Sequence, residues 1–212
     1  GNGSGGFAPA VNHAVGSYPF HVAIGDLNRD SKLDLVTANT FSHDISVLLD
    51  SLNIDSAFIS GQSDGGILGL LLAIHHPNKV ARLATYGANM FPGKKAVVDE
   101  VDDLVLDTLK VTTNFNTRRL YSLMAYQPHI TEKELQQIKC PVLIMTGDRD
   151  VIRLEHSIKL FNNIPNSNLF VMPGATHFGS VEKPELFNLV LADFLNRPFS
   201  KVSTVDLITG KH

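Results

Sequence analysis

A serine, an aspartate and a histidine occupy positions in this chain that suit a nucleophile, an orienting acid and a general base. The serine is central to Gly61-Gln62-Ser63-Asp64-Gly65, which follows an apolar run and precedes a helical one. A G-x-S-x-G between a strand and a helix turns the chain sharply and exposes the serine hydroxyl. An ordinary helix N-cap serine would explain neither glycine. We therefore predict that Ser63 is a nucleophile and that the backbone N–H of Asp64 is an oxyanion donor.

The acid and the base are predicted on two later loops. The apolar run 142–145 leads into a loop that carries Asp148 and Asp150, and the run 169–172 leads into a loop that carries His177. The carboxyl ends of parallel strands share one edge of a sheet, so these loops should lie beside the serine. Asp150 lies further from its strand than Asp148 and is better placed to reach a histidine. We predict Asp150 as the orienting acid, His177 as the base and Asp148 as a turn residue.

Alternating strand and helix patterns are expected to position these groups from about residue 51 onward. Strands are predicted at 56–61, 81–86, 141–147 and 168–172, and helices at 64–76, 95–109, 116–125, 131–138, 153–162 and 184–196. This alternation predicts the α/β class, with a parallel sheet covered by helices. The stretch 88–139 has helical periodicity and no central strand, which predicts a cap that selects the substrate.

The first 50 residues differ from the rest, because short β-branched runs there predict a β-hairpin or blade-like segment. Oxygen-bearing side chains between two of these runs, at Asp26, Asn28, Asp30 and Asp34, have a spacing that allows a tight loop to gather ligands around Ca²⁺. The sequence therefore predicts a structural calcium site, and the alternative is a solvated acidic hairpin.

Residues 1–50 resemble one FG-GAP/VCBS repeat, the blade unit of some secreted β-propellers. The resemblance is carried by Gly5-Gly6-Phe7, Val22-Ala23-Ile24-Gly25-Asp26 and Leu33-Asp34-Leu35-Val36. Repeat units of this kind need neighbours to bury their faces. The chain holds no second copy, so the sequence excludes a complete propeller.

Residues 51–198 resemble the α/β-hydrolase superfamily, in particular the valacyclovir-hydrolase-like small esterases. The shared residues are Ser63-Asp64-Gly65-Gly66, Gly87-Ala88-Asn89, Cys140-Pro141, Gly147, Asp150, Met172-Pro173 and His177. The resemblance implies hydrolysis of carboxylic esters, or of amides or lactones, through an acyl-enzyme and without a cofactor. Gln62 departs from the pattern, because close relatives often carry Trp there.

The sequence features that precede the nucleophile strand in that family are missing from this chain. The family builds four strands before the nucleophile strand and carries an His-Gly motif that supplies a second oxyanion donor, but none of the nine histidines here precedes a glycine. We expect a truncated hydrolase part with an exposed sheet edge and a rate lowered by about 10²–10³. The junction Leu48-Leu49-Asp50 fits both the end of a repeat strand and the helix that leads into the nucleophile strand, which suggests a chimera. Residues 199–212 are predicted to form a C-terminal tail.

Composition limits the partners of the chain. Its 212 residues are 43% hydrophobic, which is typical of a globular protein, and the net charge of −3 argues against nucleic-acid binding. No apolar run is long enough to span a membrane. We expect a small-molecule ester as substrate, and the alternative is a non-catalytic calcium-binding or adhesion-type module with an inert hydrolase part. The sequence leaves the compartment and the oligomeric state open.

Overall fold

The computed structural model describes residues 49–50 and 53–210, together with the backbone of 19–25 and 34–39. Strands β1 (Pro19–Gly25) and β2 (Asp34–Asn39) pair antiparallel, as the β prediction for this part of the chain requires. The predicted calcium ligands Asp26, Asn28 and Asp30 lie outside the described residues, and the side chain of Asp34 does too. The calcium site and the repeat resemblance therefore stay predictions.

A second sheet contains four parallel strands in the order β3-β4-β5-β6. The strands are β3 (Ala57–Gln62), β4 (Val80–Tyr86), β5 (Val142–Gly147) and β6 (Ser167–Met172). Each lies within one residue of its predicted bounds. Every residue of β5 is buried, since this central strand has a neighbour on both sides and helices on both faces.

Among the described residues, eight α-helices and one 3₁₀ turn are present, besides the helical residues Leu49 and Asp50. They are α1 (Asp64–His75), the 3₁₀ turn Pro77–Lys79, α2 (Asp99–Val111), α3 (Phe115–Tyr126), α4 (Glu132–Leu135), α5 (Leu154–Asn163), α6 (Gly179–Glu182), α7 (Pro184–Asn196) and α8 (Thr204–Thr209). The longer helices match the predicted ones. Helices α6 and α8 were not predicted, because so few residues give too little periodicity to recognise.

The sheet separates two apolar clusters. Val142 and Ile144 of β5 face the cluster that contains α1, whereas Leu143 and Met145 face the cluster that contains α7. This alternation follows from the two-residue repeat of a strand. Leu49, which is helical, packs into the first cluster, so the helix interpretation of the junction applies at this position.

Strand β3 forms one edge of the four-stranded sheet, and in the described part of the chain no further strand extends the sheet beyond it. The sheet is therefore a partial one, as the missing upstream pattern predicts. In the same described ranges, no helix combines the length and the apolar character that crossing a bilayer requires.

The predicted cap segment 88–139 divides into two parts. Helices α2 and α3 pack against each other, yet Val105 is their one buried residue. Several of their apolar side chains are exposed, namely Leu104, Val111, Phe115, Met124 and Tyr126. By contrast, Ile130, Leu135 and Ile138 belong to the main core. The helical layer that projects from the core is thus confined to 99–126.

A set of backbone and side-chain contacts, which we call the neck, joins this helical layer to the core. The Ile130 N–H donates to the Met90 carbonyl at 2.7 Å, and Val98 N–H donates to the Val151 carbonyl at 2.9 Å. The side chain of Arg153 donates to the carbonyls of residues 94 and 97 and forms an ion pair with Asp99. The two ends of the layer are therefore fixed to the loop that follows β4 and to the residues just before α5.

Candidate active site

The nucleophile turn lies between β3 and α1. Ser63 has φ 53° and ψ −121°, a left-handed conformation that is costly for a residue with a side chain. Hydrogen bonds hold it there: its N–H donates to the Tyr86 carbonyl at 2.8 Å, and its carbonyl accepts from Gly66 at 2.9 Å and Ile67 at 3.1 Å. The turn is therefore fixed to the neighbouring strand and to the first turn of the helix.

The two glycines of the G-x-S-x-G motif differ in what surrounds them. A Cβ on Gly61 would lie 2.2 Å from the Gly65 carbonyl oxygen, whereas a Cβ on Gly65 would meet nothing within 4 Å. The strand and the helix thus approach so closely that Gly61 admits no side chain. Gly65 is permissive in this respect.

The first N–H groups of α1 are available to a ligand. Among the described residues, neither the Asp64 nor the Gly65 N–H has a hydrogen-bond acceptor, as expected at a helix N-terminus. Burial raises the pKa of the Asp64 carboxyl above its usual value, and nearby His177 acts in the opposite direction. Asp64 therefore contributes a free backbone donor and a partly buried carboxyl group beside the histidine.

Asp150 and His177 are in direct contact. His177 Nδ1 lies 2.7 Å from Asp150 Oδ1, and the Asp150 side chain is fully buried. The carboxylate also accepts the Ile152 N–H at 3.0 Å and the Thr146 hydroxyl at 3.3 Å, so its oxygens are oriented. Asp148 is exposed. The structure thus brings Asp150, and not Asp148, to His177.

Ser63 adjoins this pair without being bonded to it. No hydrogen bond links the Ser63 hydroxyl to His177 among the described side chains, a separation common in enzymes without substrate. The two are neighbours across Tyr86 and Gly87, since Tyr86 accepts from Ser63 and a Cβ on Gly87 would lie 2.7 Å from His177 Cε1. Gly87 has φ +61°, so both its conformation and its surroundings favour glycine.

The loop that carries His177 is held at the preceding residue. The buried Tyr86 hydroxyl donates to the Thr176 carbonyl at 2.7 Å, and burial raises the pKa of Tyr86, which keeps it protonated. The Glu182 carboxylate accepts from the Thr176 N–H at 2.8 Å and from its hydroxyl at 2.6 Å, and these bonds lower the pKa of Glu182. Sequence reasoning missed Tyr86 and Glu182, because nothing local distinguishes them.

The acid loop and the base loop also pack backbone to backbone. The Arg149 N–H donates to the Ala175 carbonyl at 3.0 Å, and the Asp148 N–H donates to the Met172 carbonyl at 3.3 Å. A Cβ on Gly147 would lie 2.0 Å from the Ala175 oxygen. This contact explains why a glycine ends β5 before the acid loop.

One further titratable group, the Cys140 thiol, and one groove lie outside this cluster. Burial raises the pKa of the Cys140 thiol to about 11, so it is protonated near neutral pH. Within the described residues no group of three or more His, Cys, Asp or Glu side chains is placed to hold a metal ion. A groove of about 450 Å³ on α3 is lined by Phe115, Arg118, Arg119, Ser122, Leu123, Tyr126 and Gln127, and by none of the predicted catalytic residues.

His156 contributes to the neck. The side chain is only 2% exposed, and its Nε2 accepts the Met90 N–H at 3.0 Å. Burial, with a smaller contribution from Lys159, lowers its pKa to about 4. His156 is therefore neutral in the folded protein at pH values where an exposed histidine is charged.

This shift predicts acid sensitivity. A histidine whose pKa is lowered by folding stabilises the protein fully above about pH 6.5, and this contribution is lost as the pH falls through about 4. Between pH 7 and 4.5 we expect the wild type to lose about 2–3 kcal/mol more unfolding free energy than His156→Gln, whose amide oxygen can accept the same N–H without titrating. Urea unfolding at both pH values measures this difference. Parallel losses in the two proteins would contradict it.

Known proteins resemble this chain in sequence and in structure, although no protein-family model matches it. Human serine hydrolase BPHL is 24% identical over 173 residues, covering 70% of this chain and 57% of that protein. A 2-hydroxy-6-oxononadienedioate/2-hydroxy-6-oxononatrienedioate hydrolase of Paraburkholderia phymatum is 25% identical over 189 residues, covering 71% of this chain and 66% of that one. The chain thus spans less than two thirds of either relative.

A solved structure of similar architecture is that of an alpha/beta fold family hydrolase from Bacillus anthracis str. Sterne. It superimposes with a TM-score of 0.57 at 19% identity and covers 71% of each chain. Together with the parallel order β3-β4-β5-β6, this likeness shows that the described part of the chain has a partial α/β-hydrolase fold.

Proposed function

We propose that this chain, which has a partial α/β-hydrolase fold, hydrolyses carboxylic esters through an acyl-enzyme on Ser63. The observation that carries the proposal is the 2.7 Å contact between His177 and the fully buried Asp150, beside a serine held in a left-handed turn. A buried carboxylate bonded to a histidine stabilises the imidazolium that forms when the histidine takes a proton. The two relatives reported above are named as hydrolases, one of them as a serine hydrolase, which supports the same class of reaction.

In the proposed mechanism, Ser63 Oγ attacks the ester carbonyl while His177 Nε2 accepts its proton. Asp150 holds the proton on Nδ1, so that Nε2 is free to act as base. The oxyanion of the tetrahedral intermediate accepts the Asp64 N–H. Collapse expels the alcohol, which takes the proton from His177. Water, deprotonated by the same histidine, then attacks the acyl-enzyme and releases the acid. Amides and lactones would react in the same way.

The second candidate function is a calcium-binding or adhesion-type module whose hydrolase part is inert. It is favoured by the spacing of Asp26, Asn28 and Asp30, which lie between two strands that pair antiparallel, and of Asp34, the first residue of the second strand. If this second function is the true one, the Ser63 turn has a structural role and no catalytic one.

A fluorophosphonate probe tests the first candidate, because it forms a stable adduct only with an activated serine. We expect the intact mass of the wild type to show a single adduct and that of Ser63→Ala to show none. Ser60→Ala is the matched control, since Ser60 lies on the same strand, is exposed and should leave the adduct unchanged.

A soluble, folded wild type that takes no adduct would refute the proposed hydrolase. In that case a thermal midpoint that rises on addition of calcium, and does not rise in Asp26→Ala, would favour the second candidate.

A further inference from the structure

Gln62, the last residue of β3, connects the nucleophile turn to the loop that carries the base. Its Nε2 donates to the His177 backbone carbonyl at 2.7 Å, and its Oε1 accepts from the Ser180 hydroxyl at 2.5 Å. Both ends of the amide are therefore used, and the two partners are only three residues apart in the chain. Ser63 follows Gln62 directly in the chain.

This connection joins the residue before the nucleophile to the base itself, whereas Tyr86, which accepts from the Ser63 N–H, reaches only the neighbouring Thr176. His177 is held by Asp150 through its ring, but within the part of the chain that the structure describes Gln62 is the only residue bonded to its backbone. The Ser63 N–H is fixed to Tyr86. The separation of Ser63 Oγ from His177 Nε2 therefore depends on how the base loop lies against the end of β3, which the Gln62 amide sets.

We propose that Gln62 is a positioning residue that places His177 within proton-transfer reach of Ser63. The inference rests on the proposed function, since positioning matters only if Ser63 reacts. The role proposed for Gln62 differs from a purely structural one, because hydrogen bonds from Tyr86 and to Glu182 hold the same loop at Thr176. Removing the amide should thus leave the loop folded and shift the base.

The change that isolates this role is Gln62→Met, which keeps the length of the side chain and removes both hydrogen bonds. Misplacing a catalytic group by about 1 Å costs up to about a hundredfold in rate. We expect kcat on a 4-nitrophenyl ester, and the rate of fluorophosphonate labelling, to fall about tenfold to a hundredfold. KM should change by less than about twofold, because Gln62 makes no proposed contact with substrate.

Ser180 provides a second variant that tests the same connection. Ser180→Ala leaves the bond from Gln62 to His177 in place but removes the partner that orients the amide, so its loss of kcat should be smaller. The double variant should be no slower than Gln62→Met alone, because both changes act through one side chain.

Asn166→Leu is the matched control. Asn166 also donates from a side-chain amide to a backbone carbonyl, that of Lys139, at 2.7 Å, but it does so at the opposite end of the sheet. We expect wild-type kcat for this variant, and thermal midpoints of all variants are measured alongside.

The outcomes separate the two proposals. A wild type with no Ser63-dependent labelling refutes the proposed function and this inference with it. An active wild type with an unchanged kcat in Gln62→Met refutes the inference alone. Losses that multiply in the double variant, or a fall in kcat that appears equally in Asn166→Leu, also overturn it, since they indicate general destabilisation and not positioning.

Discussion

Asp150→Asn is expected to lower kcat/KM by a factor on the order of 10⁴. The substitution keeps the shape of a side chain that is fully buried and in contact with His177. One carboxylate oxygen, Oδ1, faces both the Ile152 N–H and His177 Nδ1, so an asparagine oxygen in its place accepts from both groups but carries no negative charge. The imidazolium that forms when His177 takes the Ser63 proton then has no anionic partner, and the flipped amide, with its NH₂ towards Nδ1, forces the proton onto Nε2, where the histidine cannot act as base.

The measurement is steady-state hydrolysis of a 4-nitrophenyl ester, together with a thermal midpoint to show that the variant folds. Asp148→Asn is the control, because this second carboxylate of the same loop is exposed and does not contact His177. It should change kcat/KM by less than about twofold. Comparable losses in both variants would show that the loop contributes charge or stability and that Asp150 does not hold the tautomer.

Gly61→Ala is expected to have the largest effect on stability. The added Cβ would lie 2.2 Å from the Gly65 carbonyl, and the atoms it meets are backbone that cannot rotate away. The strand and α1 must separate, and we expect a loss of about 3 kcal/mol or more of unfolding free energy, or no soluble protein. Labelling of Ser63 should be lost with it, since the turn itself is displaced.

Gly65→Ala is the comparison within the same motif. Its Cβ would meet nothing within 4 Å, so we expect a change in unfolding free energy of less than about 1 kcal/mol. Chemical denaturation of both variants decides the point. If both glycines tolerate alanine equally, the close approach of strand and helix does not constrain the turn.

The four strands of the parallel sheet could be predicted to within one residue because each is an apolar run bounded by turn residues. The contact between Asp150 and His177 followed from topology, since both loops leave the same edge of the sheet. The roles of Gln62, Tyr86 and Glu182 could not be predicted in this way. Their partners lie far away in sequence, and a glutamine or a tyrosine at the end of a strand has no preferred partner of its own.

The division of segment 88–139 into projecting helices and a part that belongs to the core could not be predicted from the sequence either. Helical periodicity shows that one side of a helix is apolar, but not whether anything covers it. Leu104 and Val105 are adjacent apolar residues of α2, and the first is 60% exposed while the second is 4% exposed. The role of His156 could not be predicted from the sequence either, since only the folded structure shows that Met90 donates to its ring.

The neck determines at which residues the helical layer of this protein can be exchanged for a segment of another protein. Residues 90, 98 and 130 are hydrogen-bonded to the core or to each other, so a splice inside any of these contacts would leave backbone groups without partners. A donor segment that replaces residues 99–129 would instead exchange the whole of α2 and α3. Every neck hydrogen bond between backbone groups would be kept. Libraries that vary the helical layer of this scaffold should therefore take those two points as crossover sites.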